Sequence, residues 1–124
     1  EQRQALELST AVSDAIIAAV RPGRTLRELQ EVAEASIPGD QKKYMQTGLY
    51  FGHHIGLSTS PPVLTDEPLA PGMIFTVEPW YYNHDNQISV FIEDVLLVTE
   101  TGVEVLTREL PRRPEELERM VGSR

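Results

Sequence analysis

The chain has 124 residues, 40% hydrophobic and 24% charged, enough for one domain with a real core. Its formal net charge of −8 argues against a nucleic-acid footprint and against binding to an anionic membrane. It holds no cysteine, hence no disulfide framework or thiolate metal site, and no apolar run long enough to span a bilayer. Glu1-Gln2-Arg3-Gln4 does not read as a signal peptide, and the expected location is cytoplasmic, which this composition permits without requiring.

The first segment predicts an amphipathic helix. Leu8, Val12, Ala15, Ile16, Ala19 and Val20 recur at three- and four-residue steps, and Arg21-Pro22-Gly23 ends it. It has no obvious cap, so Glu1 reads as a cut or junction. Thr25-Leu26-Arg27-Glu28 then fits a capping box opening a second helix, with Leu26, Leu29, Val32, Ala33 and Ile37 as its apolar stripe and Pro38-Gly39-Asp40 as its end.

From Tyr44 the pattern changes. Gly48, Gly52 and Gly56 punctuate a segment containing Tyr50 and Phe51, and prolines and glycines mark turns up to Gly72. Three strand-like stretches follow, near Met73–Val77, Ile88–Val98 and Val103–Leu106, with a polar loop Asn83-His84-Asp85-Asn86 between the first two. Pro114-Glu115-Glu116 opens a short final helix. The expected fold is a single α+β domain over residues 1–124, with helices packed on antiparallel strands.

Three polar groups interrupt apolar segments. His53 lies in Phe51-Gly52-His53-His54-Ile55-Gly56-Leu57, Glu78 ends Met73-Ile74-Phe75-Thr76-Val77, and Glu93 interrupts Ile88 through Val98. On one continuous strand, Phe91 and Val95 would share a face with Glu93, while Ile92, Asp94 and Leu96 would take the other. Each of the three has an ordinary alternative: a histidine hydrogen-bonded in a glycine-rich turn, a solvated strand-end acid, and a salt bridge to an arginine. Antiparallel pairing of successive strands would nevertheless set Glu78 beside Glu93. Two close carboxylates repel unless one is protonated or a cation sits between them. Carboxylates with a single imidazole suit Mn²⁺, Co²⁺, Fe²⁺ or a catalytic Zn²⁺.

Taken together, Gly52-His53-His54-Ile55-Gly56-Leu57, Pro71-Gly72-Met73-Ile74-Phe75-Thr76-Val77-Glu78-Pro79, and Ile92-Glu93-Asp94 with Val98-Thr99-Glu100 and Gly102 resemble the second half of the pita-bread metallopeptidases. That family includes methionine aminopeptidase, Xaa-Pro aminopeptidase, prolidase and creatinase. The helix ending in Arg21-Pro22-Gly23 agrees with it, and Leu106-Thr107, Leu110-Pro111 and the short last helix look like the end of the Xaa-Pro aminopeptidases and prolidases. The resemblance implies one half of a pita-bread fold: two N-terminal helices on an antiparallel sheet and a short C-terminal helix. It implies that His53, Glu78 and Glu93 are metal ligands, that Glu93 bridges two divalent metals, and that Glu78 also assists proton transfer to or from a peptide substrate.

The departures are equally specific. The family's two aspartate ligands come from an earlier hairpin, and Asp14 and Asp40 have the wrong context to replace them. Ser60, followed by Pro61, stands where the peptidases usually place a second histidine; Leu49 stands where proline-specific members tend to carry another; Phe91 replaces an arginine two residues before the bridging glutamate. A half-fold also leaves its sibling surface exposed. The expectation is a homodimer or a separate chain supplying the N-terminal half, with weak or no activity from this chain alone. A non-catalytic peptide- or protein-binding module on the same fold, and a fragment without activity of its own, are the other readings.

Overall fold

The computed structural model describes residues 1–45, 52–56 and 66–122. Helix α1 (Gln2–Ala19) buries Ala5, Val12 and Ile16, and its cap Val20 is buried as well. Helix α2 (Leu26–Ser36) starts at the expected capping box. Thr25 Oγ1 accepts from the Glu28 N–H at 3.1 Å, and a Glu28 carboxylate oxygen accepts from the Thr25 N–H at 2.9 Å. That backbone bond to Thr25 is the main reason the Glu28 carboxyl titrates below its usual range. Leu29 and Ala33 are buried, and the two helices pack against each other. Gly23, at φ +87°, makes the turn between them, a left-handed conformation that favours glycine.

The strands are β1 (Ile74–Val77), β2 (Trp80–Asn83), β3 (Ile88–Phe91), β4 (Asp94–Val98) and β5 (Val103–Val105), and helix α3 (Pro114–Val121) closes the described chain. They form an antiparallel three-stranded sheet in the order β1-β4-β5 and a two-stranded sheet of β2 with β3. Helices and antiparallel sheets make the α+β class expected from the pattern.

The strand boundaries are corrected at one point that matters. Ile88–Val98 is two strands in two sheets, interrupted at Ile92 and Glu93, and Trp80–Asn83 is a strand that the sequence pattern did not single out. The cause lies in Pro79, which has no N–H to give a ladder. Both ladders keep one register: Val77 pairs with Asp94 before the break, and Trp80 pairs with Phe91 after it. Carried across the break, that register sets Glu78 opposite Glu93.

Phe75, Val77, Leu96, Val98, Tyr81 and Ile88 are buried with Val12, Ile16, Leu29 and Ala33, so one side of the strands carries the core and meets the helices. By alternation, Thr76, Glu78, Trp80 and Tyr82 occupy the other side. Trp80 and Phe91 are exposed there, with ring centroids 6.3 Å apart.

A buried charge network ties the C-terminal segment to this core. Asp94 Oδ2 accepts from Ser13 Oγ of α1 at 2.9 Å and from Arg112 Nη1 at 2.8 Å, and Asp94 Oδ1 accepts from Thr107 Oγ1 at 3.1 Å. The second nitrogen of the Arg112 fork binds Asp14, which also takes a hydrogen bond from Arg113 at 3.0 Å. The Asp94 side chain is 3% exposed and that of Arg112 is 23% exposed, whereas Arg113 is 53% exposed.

Removing one partner of a buried ion pair strands the other. Arg112→Ala is therefore expected to lower unfolding stability by ~3–5 kcal/mol. Arg113→Ala, at an exposed pair, is expected to cost less than ~1 kcal/mol. Urea denaturation of both variants checks this, and equal losses would contradict it.

Candidate metal centre

The site forms where the hairpin breaks. Residues 52–56 run along the free edge of β1. The Thr76 N–H donates to the His53 carbonyl at 2.7 Å, the Ile55 N–H donates to the Ile74 carbonyl at 3.1 Å, and His54 forms an isolated antiparallel bridge with Phe75. This edge approach depends on Gly52. Its φ is +147°, and a β-carbon there would lie 1.7 Å from the Thr76 carbonyl oxygen. Only a residue without a side chain brings the His53 backbone this close to β1.

Thr76 links the two first candidates. Its hydroxyl oxygen accepts from the His53 N–H at 2.9 Å and donates its proton to Glu78 Oε1 at 2.9 Å. Thr76 itself is 1% exposed, so these bonds are made away from bulk water. Sequence reasoning missed this residue. The signal available was a hydroxyl two positions before Glu78 in an otherwise apolar strand, which puts both on one face.

His53 Nδ1 lies 3.0 Å from the His54 carbonyl oxygen. A carbonyl only accepts, so Nδ1 carries the proton in that bond and Nε2 is left to face the site. Nε2 lies 3.3 Å from Glu78 Oε1. The structure brings the three sequence-derived candidates together: one ligand atom from each of His53, Glu78 and Glu93 lies within 4.8 Å of the others. His53 and Glu78 are half-buried and Glu93 is exposed. Glu93 lies in the gap between β3 and β4, outside both ladders, and the open side of the hairpin admits solvent.

The donor set fits a divalent cation. Two carboxylates and an imidazole whose far nitrogen is held by a carbonyl are the usual outer arrangement of a metal-ligating histidine. No arginine or lysine contact is found for Glu78 or Glu93 among the described residues. The salt-bridge alternative for Glu93 therefore has no support there. Asp14 is engaged by Arg112 and Arg113, and Asp40 accepts from Gln41 in the turn after α2, so neither joins the cluster. His54 is exposed and lies edge-on to Phe75. Leu49, Ser60 and Pro61, the departures noted in the sequence, lie outside the described residues.

Residues 1–100 match Metallopeptidase family M24. Xaa-Pro aminopeptidase 2 of Streptomyces coelicolor is 31% identical over 94% of this chain and 32% of its own length. Xaa-Pro dipeptidase of Pyrococcus furiosus is 34% identical over 87% of this chain and 32% of its own. A solved Bacillus anthracis chain assigned as an aminopeptidase P superposes with a TM-score of 0.86 at 27% identity, covering 97% of this chain and 31% of that one. The α+β arrangement is the pita-bread fold of these relatives, and the chain spans about a third of their length.

Gly52→Ala is expected to cost at least ~1–3 kcal/mol through backbone strain alone. It should also pull the 52–56 segment off β1. Hydrogen exchange at the Thr76 amide, which donates to His53, reports this directly: faster exchange is expected, and unchanged protection would mean that the edge approach tolerates a side chain.

Proposed function

The chain belongs to metallopeptidase family M24, and on that footing we propose that it is the C-terminal half of a pita-bread metallopeptidase domain related to Xaa-Pro aminopeptidases and prolidases. In this reading His53, Glu78 and Glu93 hold a divalent metal, and activity requires ligands from outside these residues. The observation that carries it is the convergence of one ligand atom from the imidazole and one from each carboxylate within 4.8 Å of one another.

When bound, a divalent cation would supply a lowered water pKa and Lewis-acid polarisation of a peptide carbonyl. The chain's own groups have separate tasks. His53 presents Nε2 because Nδ1 is committed to a carbonyl. Thr76 fixes one Glu78 oxygen, which leaves the other free to hold or pass a proton. Glu93 lies opposite Glu78 in the register, and the negative charge of the pair would select for a cation.

The missing aspartate pair would come from the other half of the fold, on a preceding segment or a separate chain; a second copy of this chain would instead bring its own His53, Glu78 and Glu93. The sibling half would also cover surface that this half leaves exposed. A second reading, a non-catalytic peptide-binding module, is favoured by one observation: Phe91, where the resemblance expects arginine, is 55% exposed beside the carboxylates and places an aromatic rather than a cation there.

Trp80 is the only tryptophan, two residues after Glu78 and paired with Phe91 in the hairpin. Co²⁺ is expected to quench its emission saturably. His53→Ala should weaken that quenching at least ~10-fold in metal concentration; an unchanged titration would remove the site. With Mn²⁺ and an Xaa-Pro peptide, this chain alone is expected to release little or no free amino acid, with turnover restored when a chain carrying the other half is supplied. Robust turnover without it would overturn the requirement for outside ligands, and metal binding with no turnover in either case would favour the binding module.

A further inference from the structure

Asp94 is the residue after Glu93, and it points the opposite way. The register carried across the break sets Glu93 opposite Glu78 on the open side, while Asp94 opens β4 facing the helix side, where its carboxylate is held by three separate parts of the chain. Ser13 comes from α1, Thr107 from the turn after β5, and Arg112 from the segment before α3. Thr107 Oγ1 additionally accepts from the Val95 N–H at 3.1 Å, so the same hydroxyl holds the backbone on the far side of Asp94. Arg112 is itself fixed by Asp14, and its carbonyl accepts from Thr10 Oγ1 at 3.2 Å.

Among the described residues, no comparable anchor is found for Glu93. It lies in the two-residue gap between β3 and β4, outside both ladders, and is exposed. Its place is set by its two flanks. On one side Phe91 pairs with Trp80. On the other Asp94 pairs with Val77 and carries the buried clamp. Two clamp residues, Thr107 and Arg112, lie beyond residues 1–100, the part that matches the family.

We propose that Thr107 and Arg112 are positioning residues for the metal centre: by gripping Asp94 from behind the sheet, they hold Glu93 at the distance from Glu78 and His53 that a cation requires. The C-terminal segment thereby contributes to metal affinity as well as to stability. This inference rests on the metal reading given under Proposed function.

The test is a Co²⁺ titration of the folded chain, read by visible absorption and by Trp80 emission, well below the unfolding temperature of every variant. Arg112→Lys keeps the charge opposite Asp94 but loses the fork that spans Ser13, Asp94 and Asp14. Thr107→Val keeps the shape and loses the hydroxyl. Each is expected to weaken Co²⁺ binding about 10-fold, in the range seen for outer partners of metal ligands, and to alter the absorption envelope. In a Glu93→Gln background the same substitutions should have no further effect, because the clamp acts through Glu93. Arg113→Ala, whose side chain pairs with Asp14 and makes no bond to Asp94 among the described residues, should leave binding unchanged. Unchanged affinity in folded Arg112→Lys and Thr107→Val would overturn the inference, as would equal losses with and without Glu93. A wild-type chain that binds no Co²⁺ would instead show that the metal reading itself has failed.

Discussion

The organising constraint of this chain is a hairpin that keeps its register while giving up its hydrogen bonds. β1 with β4 and β2 with β3 are one antiparallel pairing, interrupted where Glu78 and Pro79 face Ile92 and Glu93. Pro79 has no amide to donate, and two ionised carboxylates set side by side repel each other. Continuous pairing is therefore weakest where the chemistry-bearing groups meet. On the helix side, the buried apolar residues on both sides of the break hold the strands in line, so the gap costs local pairing and not the fold.

The neighbourhood of that gap is built to orient groups. Gly52 lets residues 52–56 lie against β1, Thr76 accepts from the His53 amide and donates to Glu78, and the His54 carbonyl commits one imidazole nitrogen. Each of these contacts uses backbone or a small hydroxyl on at least one side, which places little side-chain entropy at risk. Among the described residues, the cluster shows three ligand groups and not five. That fits a chain spanning about a third of its relatives' length.

Buried charge does a second job on the other side of the sheet. Asp94 and Asp14 are balanced by Arg112 and Arg113, and the network joins α1, β4 and the segment leading into α3. A buried pair of this sort adds less net stability than its contacts suggest, because both groups lose water. What it does add is specificity of placement: Asp94 has no comparable partner elsewhere among the described residues, so β4 is held in one position relative to α1.

Much of this was readable from residue order. The 3.6-residue spacing of Val12, Ile16 and Val20, the Thr25–Glu28 box, and the proline-led last helix specify their elements locally, because capping and apolar periodicity depend on neighbours a few residues away. The three site candidates were legible for a similar reason, since polar groups that interrupt apolar runs stand out in one dimension. The division of Ile88–Val98 between two sheets was not legible. Its cause, Pro79, lies on the partner strand, and a run of β-formers carries no mark of what it pairs with. Nor were the roles of Thr76, Asp94 and Arg112. A hydroxyl, an acid and a guanidinium read as solvated until tertiary packing removes water from them and sets Arg112 across from Asp94. Residue order alone determined the α+β class and which three side chains to watch; only the folded chain decided how far each is from water and which distant groups hold it there, because burial and long-range hydrogen bonding are properties of packed surfaces and not of local sequence.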